Sequence, residues 1–383
     1  MKFKIIIDAT TIEKKKDGLS QYIIALINNL PLSSFELFEF IILINPGVER
    51  EELSATIQSG KFTILTKKIS PIGPKRDWDM FWFFLKNKNK FDLFHSTSNQ
   101  YPFFFKNGIA TIHDIIFSKY LDAPWWTFNF AKNYLHLIVK NSLYKSAAVI
   151  AVSAATKNEL SSQYKLSSTI NNKIQVIYEG WEHLLSNNVD EEKLDLIDSF
   201  GNYLFYVGAT RVHKNLSGLI KAFVLARANI PDNINLVISG DVRYIKDEDK
   251  KLVDELNKNG KKIIFTGFVS NNRLQTIFKN ADAFIFPTFN EGFGIPVLES
   301  FYFKKPLLCS NVSSLPEIAG DAALYFDPSD PADIAKTIMF FYAHPALWQT
   351  LIEKGVQRLS FFSWKITAEK TVALYKEILL KRV

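Results

Sequence analysis

The sequence predicts an α/β protein built from two doubly wound parallel-sheet domains. Three observations carry this. The chain has 383 residues, and a domain usually takes about 100–200. Short apolar runs alternate with longer amphipathic stretches, the pattern of strands and helices in layered α/β folds. The alternation comes as two series, parted by a polar, acidic stretch at 187–198.

The first series places strands at 4–9, 40–44, 92–96, 109–113, 148–152 and 174–178. Most are near-continuous Ile, Val, Phe and Leu runs, as Ile5-Ile6-Ile7 is, and such runs suit parallel strands covered on both faces. Helical patterns fall at 20–30 and at 125–144, the latter opening on Trp125-Trp126. The second series places strands at 203–207, 235–239, 262–266, 283–286, 306–309 and 323–326. Its helices are expected at 216–228, 247–258, 273–280, 295–303 and 331–342. Asn215 is an N-cap candidate for the first of these, and Pro296 fits the opening turn of the fourth. A last amphipathic helix spans 364–381. The domains are therefore expected at 1–185 and 186–362, with a closing helix at 363–383. In open sheets of this kind ligands gather at the carboxyl ends of strands, so the residues just after strands are the candidates for function.

Composition narrows the classes. A 47% hydrophobic and 22% charged chain buries a large core and is not disordered. One cysteine, Cys309, excludes an internal disulfide framework and a thiolate metal cluster within one chain, and it fits a reducing cytoplasm. No apolar run approaches the roughly 18–20 residues of a membrane-spanning helix. The first residues read as a strand, since they lack the apolar core and cleavage site of a signal peptide. The net charge, 46 − 39 = +7, is modest, and no nucleic-acid motif accompanies it. After the first strand there is neither Gly-x-Gly-x-x-Gly nor a Walker loop, which argues against a nicotinamide dehydrogenase and a P-loop NTPase.

Four loops after strands could carry chemistry. In Glu291-Gly-Phe-Gly-Ile-Pro296 a Gly-rich turn opens a helix, so backbone N–H groups can approach an anion. Glu291 precedes that helix and Glu299 is expected on its first turn. Carboxylates suit hydroxyls better than phosphates, so both point to a sugar or ribose. A tight turn with two solvated glutamates stays open. In Val207-Gly-Ala-Thr-Arg-Val-His-Lys-Asn215, Gly208 turns the chain and two cations, Arg211 and Lys214, suit a diphosphate; an exposed basic loop is the alternative. His113 could donate a hydrogen bond to a sugar hydroxyl or phosphate, and Asp114 could orient it or bind a hydroxyl, though a structural His-Asp pair fits as well. In Asp17-Gly-Leu-Ser-Gln-Tyr22, Gly18 would let the first helix approach a ligand.

Together these residues resemble glycosyltransferase family 4, the retaining nucleotide-sugar transferases of GT-B fold. That fold has two Rossmann-like domains facing each other across a cleft. Glu291 and Glu299 match the Glu-x7-Glu motif, 207–215 the phosphate loop, 17–22 the first glycine loop, and His113-Asp114 the His-Asp pair. Phe362-Ser-Trp364 resembles the start of the helix that crosses back to the first domain. The resemblance implies roles. Glu299 takes the ribose hydroxyls, and Glu291 the donor sugar or its leaving phosphate. Backbone around Gly292, Phe293, Gly294 and Ile295 holds sugar and distal phosphate, Lys214 and Arg211 neutralise the diphosphate, and Val269 and Asn271 frame the base. Departures are His213 where the family has Arg, and Glu179 where it often has Asn. The chemistry implied is same-face substitution, in which fixed cations and helix N-termini do the work of a metal; no Asp-x-Asp site is present and no divalent ion is expected.

The first domain is expected to bind the acceptor, a glycan or lipid-linked saccharide, with Asp114, Trp125 and Trp126 as candidates. The stretch 75–90 mixes lysines with aromatics, in a chain that is 14% aromatic. It suits peripheral contact with an anionic membrane at the inner face of the cytoplasmic membrane, or else a helix core with solvated lysines. The function expected is transfer of a hexose, mannose among the candidates, by a surface-polysaccharide enzyme. An epimerase or hydrolase on the same fold, or a non-catalytic nucleotide-sugar-binding partner subunit, are the alternatives.

Overall fold

The computed structural model describes residues 2–12, 18–48, 62–87, 90–105, 107–120, 125–182, 200–208, 211–241, 245–258, 260 and 262–381. The acidic stretch at 187–198 and residue Asp17 lie outside these. The chain divides into two compact units, Met1–His183 with Phe362–Val383, and Leu184–Phe361.

The first unit holds strands β1 (Phe3–Asp8), β2 (Phe38–Ile44), β3 (Phe62–Thr66), β4 (Leu93–Ser96), β5 (Gly108–Ile112), β6 (Ala148–Ala151) and β7 (Ile174–Val176). Its helices are α1 (Gly18–Asn28), α2 (Pro74–Lys86), α3 (Phe117–Tyr120), α4 (Trp125–Lys145), α5 (Ala154–Tyr164) and α6 (Ser168–Asn171). The strands form one sheet in the order β3-β2-β1-β4-β5-β6-β7, every pairing parallel. The order reverses beside β1, which makes the β1/β4 boundary a switch point. β3 has no counterpart among the expected strands. It is an edge strand, half exposed along its length, so it lacks the continuous apolar run that marks the inner strands. The buried ion pair of Arg76 with Asp8, together with a 2.8 Å bond from Arg76 to Thr10 Oγ1, pins α2 to the carboxyl end of β1.

The second unit holds β8 (Asn202–Val207), α7 (Leu216–Ala226), β9 (Ile234–Ser239), α8 (Asp247–Asn257), β10 (Ile263–Gly267), α9 (Asn271–Asn280) and β11 (Ala283–Phe286). It continues with α10 (Ile295–Tyr302), β12 (Leu307–Ser310), α11 (Leu315–Ala319), β13 (Ala323–Phe326), α12 (Pro331–Ala343) and α13 (Ala346–Leu359). Its sheet runs β10-β9-β8-β11-β12-β13, again all parallel. The order reverses between β8 and β11. Helices α5 and α13 and the short α3, α6 and α11 were not among those expected, and α2 was foreseen only in the helix-core reading of 75–90. The sequence around α5, Ala-Ala-Thr-Lys-Asn-Glu-Leu-Ser-Ser-Gln-Tyr, buries only Thr156 and Leu160 among its side chains, which leaves little helical periodicity to read.

Helix α14 (Trp364–Leu380) belongs to the first unit, where Trp364, Ala368, Leu374 and Tyr375 join the core of β1 and α1. Gly180 permits this docking: a Cβ there would stand 2.1 Å from the Trp364 amide nitrogen. Tyr375 Oη bonds the buried His95 Nδ1 at 2.6 Å, and His95 Nε2 meets Thr111 Oγ1 at 2.8 Å. Among the described residues no helix is long and apolar enough to cross a membrane.

Candidate active site

In the second unit the switch point brings two loops together. The loop after β8 ends in a short 3-10 turn, Val212–Lys214, and the loop after β11 carries Glu291. Because β8 and β11 are neighbours, Lys214 Nζ reaches Glu291 Oε1 at 2.7 Å across 77 residues of chain. The Lys214 side chain is 20% and that of Glu291 11% exposed, so this pair is mostly withdrawn from water and the solvated-glutamate alternative does not hold for Glu291. Lys214 also lies 5.2 Å from the ring centroid of Phe286. Burial pushes the Glu299 carboxyl up to about 7, while the charge of Lys214 pulls it down. One cation therefore serves two carboxylates.

The turn at 291–295 is held from the next strand. Ser313, in the loop after β12, directs its one hydroxyl proton between the Glu291 carbonyl at 2.6 Å and Asn290 Oδ1 at 2.8 Å. Ser314 donates to the Phe293 carbonyl at 2.7 Å. Gly294 is the N-cap of α10 at φ +101°, and a Cβ there would lie 2.8 Å from Leu315 Cδ2. The Gly294 and Ile295 amides stand at the N-cap and first helical positions, where no intrahelical acceptor exists. Pro296 sits in that first turn, as its missing N–H allows. Glu299 is the fifth residue of α10 and so opens its second turn, one step past the first turn expected.

Asn215 occupies the N-cap position of α7 at φ +54°, but its side chain makes no cap. Its amide instead donates to the carbonyls of Pro287 (3.0 Å) and Pro328 (2.7 Å), tying the two loops together. His213 adds to the tie through its carbonyl, which accepts from Thr288 Oγ1 at 2.8 Å and the Phe289 amide at 2.7 Å. Burial, with help from Lys214, lowers its ring to about 4, which keeps it neutral. Gly208 runs close to Gly240, whose Cβ would stand 2.0 Å from the Gly208 carbonyl oxygen. Arg211 is exposed. It lines a pocket of about 360 Å³ with Ser217, Lys221, Lys246 and Asp249, and neither Lys214, Glu291 nor Glu299 is in that wall. Val269 and Asn271 lie past the end of β10, with Asn271 as the exposed first residue of α9.

In the first unit, His113 follows β5 directly. Its Nδ1 faces Glu179 Oε1 at 3.2 Å and its Nε2 the Thr97 carbonyl at 3.0 Å. Tyr22 presents a T-shaped ring contact at 4.7 Å. Burial opposes a charge on the ring, but the bond to Glu179 and its negative charge outweigh burial, the Thr97 carbonyl and Asp114 add to them, and the ring is raised above its ordinary value. The residue that orients His113 is thus Glu179, not Asp114. The Asp114 carboxylate accepts from the Ile116 amide at 3.1 Å, just before α3. Gly18 is the exposed first residue of α1, and a Cβ there would meet open space. The side chains of Trp125 and Trp126 lie outside the described residues.

Ser313 and Ser314 did not stand out in the sequence, and Glu179 did so only as a departure from the family pattern. All three follow strands, and that rule alone would have nominated them; nothing in their residue types does. Among the described residues, no group of three or more His, Cys, Asp or Glu side chains could hold a metal ion.

Residues 17–183 match the Glycosyltransferase Family 4 domain model, and residues 191–358 match that of Glycosyl transferases group 1. The chain belongs to glycosyltransferase family 4. Its relatives include O-antigen chain mannosyltransferase B of Escherichia coli, 24% identical over 97% of this chain and 99% of that protein. O-antigen chain mannosyltransferase RfbU of Salmonella typhimurium (strain LT2) is 30% identical over 59% of this chain and 58% of that protein. Among solved structures, Anabaena HepE in complex with UDP and glucose superposes with a TM-score of 0.69, at 15% identity, over 98% of this chain and 100% of that one. The two parallel-sheet units of this family 4 chain are those of the GT-B fold.

In this glycosyltransferase the second unit presents one mostly buried cation, two carboxylates and a glycine-capped helix start at a sheet switch point. A lysine neutralises phosphate as a point charge, helix amides donate hydrogen bonds to anionic oxygen, and carboxylates accept hydrogen bonds from hydroxyls.

Proposed function

We propose that this family 4 chain is a retaining hexosyltransferase. It moves a hexose, with mannose the leading candidate, from a nucleotide diphosphate sugar to a hydroxyl of a glycan or lipid-linked oligosaccharide, and needs no metal ion. The observation that carries the reading is the Lys214–Glu291 pair at the β8/β11 switch point, with Glu299 close to the same lysine. The diphosphate takes Lys214 and the α10 amides, Glu299 the ribose hydroxyls, and Glu291 a sugar hydroxyl. Arg211, expected as the second cation, lines a pocket apart from Lys214, so Lys214 is the cation assigned to the diphosphate; Gly208 and Gly292 give its oxygens room, and Val269 and Asn271 contact the base. The first unit binds the acceptor, with Asp114, Trp125 and Trp126 as its candidates, while Gly18 serves the donor and His113 the reaction.

In the step itself the bond from the anomeric carbon to the phosphate oxygen breaks. The acceptor oxygen forms its bond on the same face, and its proton passes to the leaving diphosphate. The protein contributes position and fixed positive charge. Mannose is favoured because two relatives are named as mannosyltransferases. A nucleotide-sugar donor and a single, buried cysteine support a cytoplasmic location, at the inner face of the membrane if the acceptor is lipid-linked.

The test is a thermal-shift titration with UDP, GDP and ADP, each in EDTA. A ligand at a hundred times its dissociation constant adds about 2.7 kcal/mol. Stabilisation by one nucleotide without metal supports the reading, and that nucleotide's sugars are then assayed with acceptor. Donor consumed without acceptor replaces it with an epimerase or hydrolase. Binding with no turnover points to a partner subunit, and no binding at all overturns the assignment of the site.

A further inference from the structure

Helix α2 wears its two tryptophans on the outside. Its inward stripe is Arg76, Met80 and Phe83, all buried. Three to four residues apart on the opposite stripe stand Lys75, Trp78, Trp82, Leu85 and Lys86, all exposed. Trp78 is 61% exposed, Trp82 43% and Leu85 52%. These are not scattered side chains. Trp78 contacts Trp82 at 5.7 Å and Phe81 at 6.0 Å, and Phe81 contacts Phe104, itself 73% exposed, at 5.0 Å. The reading of this stretch as helix core with solvated lysines therefore fails for its two tryptophans. A contiguous exposed apolar patch marks a surface that meets something other than water.

The charges on the helix choose the partner. Both acids of α2 are engaged by the protein: Asp77 accepts from Gln100 at 2.8 Å and Tyr134 at 2.6 Å, and Asp79 from the Ser70 amide at 2.8 Å. The outward stripe keeps only lysines, one at each end, and the approach to the helix adds exposed Lys67, Lys68 and Ile72. Tryptophan flanked by lysine suits a bilayer boundary, where indoles sit at headgroup level and lysine stems reach lipid phosphates.

We propose that the outward face of α2 seats this protein on an anionic bilayer, with Trp78, Trp82 and Leu85 in the headgroup–acyl boundary and Lys75 and Lys86 on lipid phosphates. The buried Arg76–Asp8 pair then fixes the bilayer relative to the carboxyl end of β1. The surface deepens the membrane-face location proposed above and rests on that reading for its purpose, although the binding it predicts needs neither donor nor acceptor.

The experiment is co-sedimentation of the full chain with phosphatidylglycerol/phosphatidylethanolamine vesicles and with pure phosphatidylcholine vesicles. The wild type is expected to pellet with the first and much less with the second. Trp78→Ser/Trp82→Ser should reduce partitioning at least about tenfold, and Lys75→Glu/Lys86→Glu by a similar factor that added salt mimics in the wild type. Unchanged melting temperatures and nucleotide-induced shifts show that the variants are folded and keep the second unit's site. Absence of wild-type binding to the anionic vesicles overturns the proposal, as do variants that bind as well as wild type. Loss of a dimer in the tryptophan variant without vesicle binding by the wild type would assign the face to a second copy instead. A failed vesicle assay leaves the transferase reading standing, since the nucleotide titration tests that separately.

Discussion

Glu179 and His113, 66 residues apart in the chain, share a hydrogen bond at 3.2 Å, while the other ring nitrogen of His113 meets the Thr97 carbonyl at 3.0 Å. Both partners only accept. A neutral imidazole has one N–H and would turn a lone pair toward one of them; only the imidazolium satisfies both. This setting favours the cation and raises the ring above its ordinary value, and both ring nitrogens are already engaged within the first unit.

Replacing Glu179 by Gln should therefore destabilise the protein in a pH-dependent way. A histidine raised in the folded state contributes stability that is full below its ordinary value of about 6.5 and is lost as pH rises through the folded value. Near pH 6 the variant should lose about 1.5–3 kcal/mol, the worth of a charge-assisted hydrogen bond, and the difference should shrink in alkali. Melting curves across pH read the stability, and NMR titration of His113 reads the proton. A His113 that titrates at the same pH in both proteins would remove Glu179 from this role.

Lys214→Ala should weaken nucleoside diphosphate binding by about ten- to a hundredfold, the equivalent of one charged hydrogen bond. Lys214→Arg should rescue only part of this, because a planar fork does not replace a compact ammonium beside Phe286. Calorimetric titration gives the affinities. Unaltered binding in Lys214→Ala would show that the diphosphate lies elsewhere, and the pocket containing Arg211 would be the next place to look.

Glu299 trades stability for binding. Its carboxyl is raised from the ordinary 4.5 to about 7, so the ionised form costs stability. That cost is absent below the ordinary value, grows between the two values and is complete above about 7. Glu299→Gln should melt at a higher temperature than wild type near pH 8 and at nearly the same temperature near pH 4. It should also bind nucleotide more weakly, through loss of a ribose acceptor. Equal melting temperatures at both pH values would deny the buried cost, and equal affinity would deny the ribose role.

Gly180→Ala forces a Cβ to within 2.1 Å of the Trp364 amide nitrogen. That contact is backbone and cannot swing aside. The start of α14 must move, costing about 3 kcal/mol and breaking the 2.6 Å bond from Thr367 Oγ1 to the Tyr178 carbonyl. Faster proteolysis near Phe362 and a lower melting temperature are expected. A variant as resistant as wild type would mean that α14 docks with slack at this point.

The inner strands of both sheets are legible in the sequence because parallel strands covered on both faces must be apolar throughout, as at Ile5–Ile7 and Phe284–Phe286. Edge strand β3 is not, since half of its residues face water and its pattern has no special mark. The functional loops are legible for a related reason: glycine at Gly294 is required by a positive φ and a crowded Cβ position, and a lysine or glutamate just past a strand has few structural duties. Helix α2 shows the limit of composition. Its lysines and aromatics are plain in the sequence, but which rings face inward depends on where Arg76 is anchored.

The sequence by itself determined the layered α/β class, the two series of strands and the loops that carry Lys214, Glu291, Glu299 and His113. These follow from local hydrophobic periodicity and backbone requirements, which act over a few residues. Tertiary structure alone decided the partners. Lys214 meets Glu291 because β8 and β11 are neighbours at the reversal of the sheet, and His113 meets Glu179 rather than Asp114 because the loops after β5 and β7 converge. Strand order is set by the packing of whole helices and strands against one core, so pairings across 66 and 77 residues leave no trace in the residues adjoining them.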